Sequence, residues 1–219
     1  MKLKKIAVMF VTALTISLVG STSVFAATPD EATAINLADY QSQLEEVAAK
    51  HGGQIEILND VDPSTITLKF DSIEEFDQAL DTLKIVEEPT QYISSQSELN
   101  TEVSPLSISE FEGTFIKDHT VYLSGAAICG VRNKVWATEY WDSFYQRNLF
   151  STINNQTSYT YGAFTGGEWT QDRAVNDIID SGRTLTSSIE GHVKLTASVG
   201  PFDVGYIFDQ SFYDEWAPV

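Results

Sequence analysis

The chain is poor in sulfur and in positive charge. A single cysteine, Cys129, stands among 219 residues. A lone cysteine closes no internal disulfide, so this is not a disulfide-stapled scaffold and its stability must come from a buried core. Its neighbours, Ala126-Ala127-Ile128 and Gly130-Val131, are small or apolar. That setting suits a small buried hydrophobe in a strand. A catalytic thiol would need one of only three histidines, His51, His119 or His192, beside it. The same scarcity leaves no zinc-ligand spacing. No G-x-S-x-G elbow, phosphate-binding loop or dinucleotide fingerprint occurs. His119 and His192 are expected at strand edges, and no pattern ties them into a Ser-His-Asp set. Thirteen basic residues face 31 acids, a net charge of −18. Such a chain repels nucleic acid and anionic membrane surfaces at long range.

Only the first residues break this pattern. Lys2, Lys4 and Lys5 precede an apolar run from Ile6 to Val19, followed by Gly20-Ser21-Thr22-Ser23-Val24-Phe25-Ala26-Ala27. A charged start, an apolar middle and a small-residue exit form the secretory pattern, with cleavage expected after Ala26. Beyond it no apolar run is long enough to span a bilayer, so no membrane insertion is expected. The expected product is secreted, extracellular and soluble. Loss of the three leader lysines leaves it more acidic still.

The rest of the chain has two textures. Residues 27–88 are expected to form a small acidic α+β module, 89–110 a linker, and 111–219 an antiparallel β-sandwich; the fold class is α+β. In the first part, Leu37, Tyr40, Leu44, Val47 and Ala48 recur at helical spacing, ending at Gly52-Gly53. Strands are expected over 54–58 and 65–70, paired as a hairpin through Asp60-Val61-Asp62-Pro63-Ser64. A second helix begins near Asp71 or Ser72, with Ile73, Phe76, Leu80 and Leu83 as its stripe. The helices would pack on one face of that hairpin. The segment Leu68-Lys69-Phe70-Asp71-Ser72-Ile73-Glu74-Glu75-Phe76 resembles one that recurs in secreted proteins of Gram-positive bacteria. The resemblance implies bacterial secretion and brings no catalytic residues with it.

All four tryptophans lie in the second part. Strands are expected over 120–129, 133–141, 148–153, 158–164, 184–188, 193–199 and 204–212. Asn154-Asn155, Gly166-Gly167, Ser181-Gly182, Glu190-Gly191 and Gly200-Pro201 punctuate them as turns. Residues 170–180 admit a short helix as an alternative, through Ala174, Val175, Ile178 and Ile179.

The stretch richest in chemistry is 136–147. On a strand, Trp136, Tyr140 and Phe144 share one face, while Trp141 and Tyr145 share the other. One face enters the core. The other would leave flat rings outside, with Glu139, Asp142 or Arg147 at their edges. Ring faces stack on the apolar C–H face of a sugar, and polar groups bind its hydroxyls. The candidate ligand-binding residues are therefore Trp136, Glu139, Tyr140, Trp141 and Asp142; the competing reading packs these rings into the core. Glu139, Asp142 and Glu168 are the acids that a glycoside hydrolase would need in a facing pair.

Asp60, Asp62, Ser64 and Asp71 stand at calcium-loop positions one, three, five and twelve. Thr65 replaces the required glycine and Pro63 intrudes, so an Asp-Pro turn is expected instead. Asp203, Asp209 and Asp214 could contribute to a weak calcium site between β loops; no other cofactor is expected. The leading expectation is a secreted, non-enzymatic protein whose sandwich recognises a glycan or an extracellular protein. Two alternatives stand beside it. The first part could be a propeptide of a secreted effector or antibacterial factor, cut away between Ser94 and Phe111. The chain could also be a polysaccharide hydrolase.

Overall fold

Alternation with period two dominates the second half of the chain, and it builds six strands of 13 to 17 residues. A computed structural model describes residues 37–59, 68–95, 110–162 and 166–219. The element order is α1 (Leu37–Lys50), β1 (Gly53–Leu58), β2 (Leu68–Phe70), α2 (Ile73–Leu80), β3 (Lys84–Glu87), β4 (Gln91–Ser95), β5 (Glu110–Leu123), β6 (Ala126–Asp142), β7 (Arg147–Tyr161), β8 (Gly167–Ile179), β9 (Thr184–Val199) and β10 (Phe202–Trp216). The fold is α+β, with two short helices and two mostly antiparallel sheets, as the sequence led us to expect.

Each sheet is built on a three-strand meander. Sheet A runs β8-β9-β10, with β1 added along β10 and β2 alongside the far end of β9. Sheet B runs β5-β6-β7, with β3 and β4 sharing the outer edge of β5. The sheets face each other strand for strand. His119 of β5 meets Asp214 of β10, Asn133 of β6 meets Ser187 of β9, and Gln156 of β7 meets Gln171 of β8.

The early elements are not a separate module. β1 does not pair with β2; each joins sheet A, while β3 and β4 join sheet B. Residues 37–219 form one unit. Short, half-buried strands cannot satisfy their own backbone groups, and the open edges of long strands supply partners. Part of the expected linker is therefore strand β4; residues 96–109 lie outside the described residues, as do the calcium-loop positions Asp60, Asp62, Ser64 and Thr65.

Helix α2 begins where expected. Ser72 caps it, accepting from the Glu75 amide at 3.2 Å, and the Glu75 carboxylate accepts from the Asp71 amide at 2.8 Å. Two orphan amides are satisfied at once. Gly52, at φ 75°, turns the chain out of α1 into β1. Ile73, Phe76, Ala79 and Leu80 of α2 join Leu44 and Ala48 of α1 in the larger apolar cluster, with Val121, Cys129, Val193 and Tyr206 of the sheets. Phe76 packs edge-on against Tyr206 and tilted against Phe70. A smaller cluster, Phe115, Val135, Ala137, Phe150, Leu185 and Trp216, fills the other end.

One expected strand contains a turn, and several expected breaks are continuous strand. Residues 120–129 are a hairpin, turning at Ser124-Gly125 between β5 and β6. Asn154 is the extra residue of a β-bulge within β7, not a turn. Gly191 lies inside β9, where a Cβ would stand 2.1 Å from the Thr170 carbonyl oxygen and 2.8 Å from the Trp169 ring. The glycine is required by close approach. Residues 170–179 belong to strand β8.

Candidate functional site

The chemistry of a sandwich depends on which way each side chain faces. In β6 the odd positions Val131, Asn133, Val135, Ala137 and Glu139 are all fully buried. The even positions Arg132, Lys134, Trp136, Thr138 and Tyr140 are half-exposed and point outward. The five predicted ligand-binding residues therefore divide. Trp136 and Tyr140 share the outer face of sheet B. Glu139 is on the inner face, the opposite of what a surface site needs. Trp141 is half-exposed at the strand end. Asp142 accepts from the amides of Phe144 at 2.8 Å and Tyr145 at 2.9 Å, so it fastens the β6–β7 turn.

The outer face around Trp136 is set by register. Thr114 of β5 and Asn155 of β7 flank it. Two positions on, Thr138 lies between Glu112 and Thr152, and Tyr140 lies opposite Glu110. The bulge turns Asn154 into this patch, where its amide donates to Glu112 at 3.1 Å and to Thr138 at 3.0 Å. Two rings thus bracket a carboxylate, an amide and a hydroxyl. On the other side of Trp136, the Lys134 ammonium sits 4.3 Å from the ring centroid. Further along, Asp118 grips Arg132 with two bonds of 2.7 Å, and that guanidinium stacks 4.6 Å from Tyr161. Sequence reading missed Glu112, Lys134, Asn154 and Arg132. The signal for the last three was parity and a bulge, which needs the neighbouring strand to be seen.

The hairpin tip is a second exposed surface. Phe144 is 85% exposed and packs edge-on against Tyr145, ring centroids 5.0 Å apart, with Trp141 nearby in sequence. The Asp142 bonds hold the backbone that carries both rings.

The interior holds a polar seam between the two apolar clusters. The Asn133 amide donates to Ser187 at 2.9 Å and to Asp214 at 2.8 Å. His119 Nε2 lies 3.0 Å from Asp214 Oδ1 without hydrogen-bond alignment, and its ring stacks on Phe212 at 4.1 Å. His119 is mid-strand and buried, not at an edge. Ser187 bonds Asn133 rather than the histidine, so no nucleophilic triad is assembled. Glu139 accepts from the Val219 amide at 3.1 Å. Burial pushes its pKa up, partly offset by that bond and one from the Tyr92 hydroxyl. Cys129 is wholly buried, and desolvation pushes its thiol up to about 12. A neutral, enclosed thiol is no nucleophile.

The outer face of sheet A is different in kind. Two shallow hollows cross it, one lined by Gln54, His192, Ile207 and Asp209, the other by Asp172, Glu190, Asp209 and Ser211. Both are open; Asp209 borders each, and only the second gathers several carboxylates. The remaining hydrolase candidates do not converge: Glu168 is outward on sheet A, Asp142 at the hairpin tip and Glu139 inside. Asp209 and Asp214 face opposite sides of β10, and Asp203 accepts from Ser198. Among the described residues no cluster of three metal-ligating side chains forms. Compared with protein families, curated proteins and solved structures, the chain matches none.

Proposed function

We propose that this chain is a secreted, non-enzymatic binding protein that takes a glycan on the outer face of sheet B, across Trp136 and Tyr140. One observation carries the reading: the two rings bracket the hydrogen-bonded Glu112–Asn154–Thr138 group. Four residues of strand separate the rings by about 13 Å. A ligand touching both is therefore longer than one pyranose ring. The rings supply apolar stacking area, and the polar group between them has acceptors and donors for sugar hydroxyls. The basic, apolar and small-residue segments of residues 2–27 support export.

The acids that hydrolysis would need are scattered, which weighs against a hydrolase. The strand pairing of β1–β4 weighs against a removable propeptide, since its loss would strip both sheets of edge strands. A protein partner is the second reading, favoured by the exposed Phe144 at the hairpin tip.

The test is retention of the chain from Ala27 on insoluble polysaccharides and peptidoglycan. Trp136→Ala is expected to weaken retention about tenfold or more, the loss of roughly 1.4 kcal/mol. Tyr213→Ala, on the outer face of sheet A, leaves it unchanged. Equal retention by folded Trp136→Ala overturns the reading. Loss of a protein partner on Phe144→Ala would transfer it to the hairpin tip.

A further inference from the structure

We infer that the glycan is a uronic-acid polymer, with a sugar carboxylate held by Lys134 while its ring stacks on Trp136. This rests on the glycan reading and deepens it. The surroundings of Trp136 are asymmetric along the strand. Towards Tyr140 lie Thr138, Asn154 and Glu112, which suit hydroxyls and repel an anion. Away from it lies the Lys134 ammonium, 4.3 Å from the ring centroid. Among the described residues no carboxylate lies within ion-pair distance of Lys134. Arg132, the next outward base on the strand, is already taken by Asp118 on two bonds and its charge is neutralised there. Among the described residues Lys134 is thus an ammonium held over a flat ring with no anion of its own. The ammonium covers that ring face, so a pyranose stacking there moves the flexible side chain to the sugar's edge, where it meets an equatorial substituent. A carboxylate in that place gains a charge-assisted bond, about twice as strong as a neutral one.

The charge distribution of the whole molecule supports the same ligand. Glu168, Asp172, Asp177, Glu190, Asp209 and Glu215 all point outward on sheet A. On the outer face of sheet B the bases Lys84, Arg132 and Lys134 stand against the acids Glu110, Glu112 and Asp118, the last paired with Arg132. Sheet A, where Lys194 is paired with Glu56, therefore repels an anionic chain more strongly than sheet B, whose outward acids and bases are equal in number.

The test uses the chain from Ala27 with three probes: polygalacturonate, the same backbone fully methyl-esterified, and polyglycerol phosphate. Polygalacturonate is expected to bind about tenfold tighter than the ester at low salt, an advantage that added salt erodes. Lys134→Met keeps the methylene stem over Trp136 and reduces acid binding to the level of the ester; Lys134→Arg restores it. Trp136→Ala weakens both sugar polymers. Equal affinity for acid and ester, both lost in Trp136→Ala, overturns the uronate assignment and leaves the glycan reading standing. Insensitivity of both to Trp136→Ala overturns both. Polyglycerol phosphate bound as tightly as polygalacturonate shows anion capture without a sugar and overturns the assignment, as does binding to neither sugar polymer. Near-ultraviolet circular dichroism confirms that each variant is folded.

Discussion

The outer faces of the two sheets share a frame and differ in almost everything carried on it. Both rest on three long antiparallel strands whose alternate residues fill a common interior. On sheet A the outward positions are mostly acids and hydroxyls, with Lys194, His192, a few aliphatic side chains and one tyrosine, Tyr213. On sheet B they include Tyr122, Trp136, Tyr140, Tyr159 and Tyr161, interleaved with Lys84, Arg132 and Lys134. The core imposes neither pattern, because outward positions do not reach it. Sheet A shows the ordinary solution for solubility, dispersed like charge with few rings. Rings gathered on one face and sparse on its counterpart are instead the composition of a contact surface. Concavity pointed the other way, since the hollows lie on the acidic face. For a ligand that stacks, flat rings are the better guide.

The comparison assumes that both faces belong to one cooperative body, and the strongest way to break it is to cut that body. A fragment of residues 110–219 keeps both meanders but loses β1–β4 and both helices. It thereby loses Leu44, Ala48, Ile73, Phe76, Ala79 and Leu80 from the larger cluster. Burying a side chain such as Phe76 stabilises by about 1.5–3 kcal/mol, and a domain's net stability is only about 5–15 kcal/mol. The fragment is expected to show no cooperative thermal transition by calorimetry. A sharp transition near that of the longer chain would restore the two-module organisation expected from composition.

Facing can be sharpened with carboxylates, which report their side by titration. Glu139 points inward on β6 and Glu112 outward on β5, one residue off register from each other. Desolvation raises the folded pKa of Glu139. The native state therefore keeps its proton above the ordinary glutamate range, where the unfolded chain has lost it. Stability then falls as pH rises through that window and levels above the folded pKa. Glu139→Gln removes the dependence. Relative to the parent, it should gain stability in urea melts as pH rises above the ordinary glutamate range, and the gain should level off above the folded pKa. Parallel profiles for Glu139→Gln would mean that its carboxylate is hydrated after all.

Much of this frame was legible in the sequence. Alternation from Val131 to Tyr140 already separates Glu139 from Trp136 and Tyr140, because side chains three apart on a strand face opposite ways. What alternation cannot supply is a partner. Nothing in Gln54–Leu58 or Leu68–Phe70 says whether they pair with each other or with the edges of longer strands, since the hydrogen-bonding groups are identical in every backbone. Gly191 and Asn154 read as turns for a similar reason. A glycine needed for the passing Trp169 ring and one needed for a reversal look alike in one dimension. Ala174, Val175, Ile178 and Ile179 fit helical spacing, yet in β8 Ala174 packs inward and Val175 is exposed. The polar seam was invisible because Asn133, Ser187 and Asp214 lie 54 and 81 residues apart along the chain.

The smallest expected effect tests whether the acidic face is as plain as it looks. Lys194 and Glu56 form an ion pair of 2.7 Å on the outside of sheet A, with side chains 30% and 53% exposed. An exposed pair of this kind contributes at most about 0.5–1 kcal/mol, because water and salt screen it and two long side chains must be held still. The backbone ladder between β1 and β10 already holds the same edge through six paired positions. Lys194→Met should therefore shift the urea midpoint only slightly, and should leave polysaccharide retention untouched. The contrasting pair across the molecule, Asp118–Arg132, is bidentate with the carboxylate 4% exposed. Arg132→Met strands that charge and should cost several-fold more. If the two variants cost the same, the faces differ in composition but not in how they are built. The aromatic face would then lose the rigidity that a preformed binding surface requires.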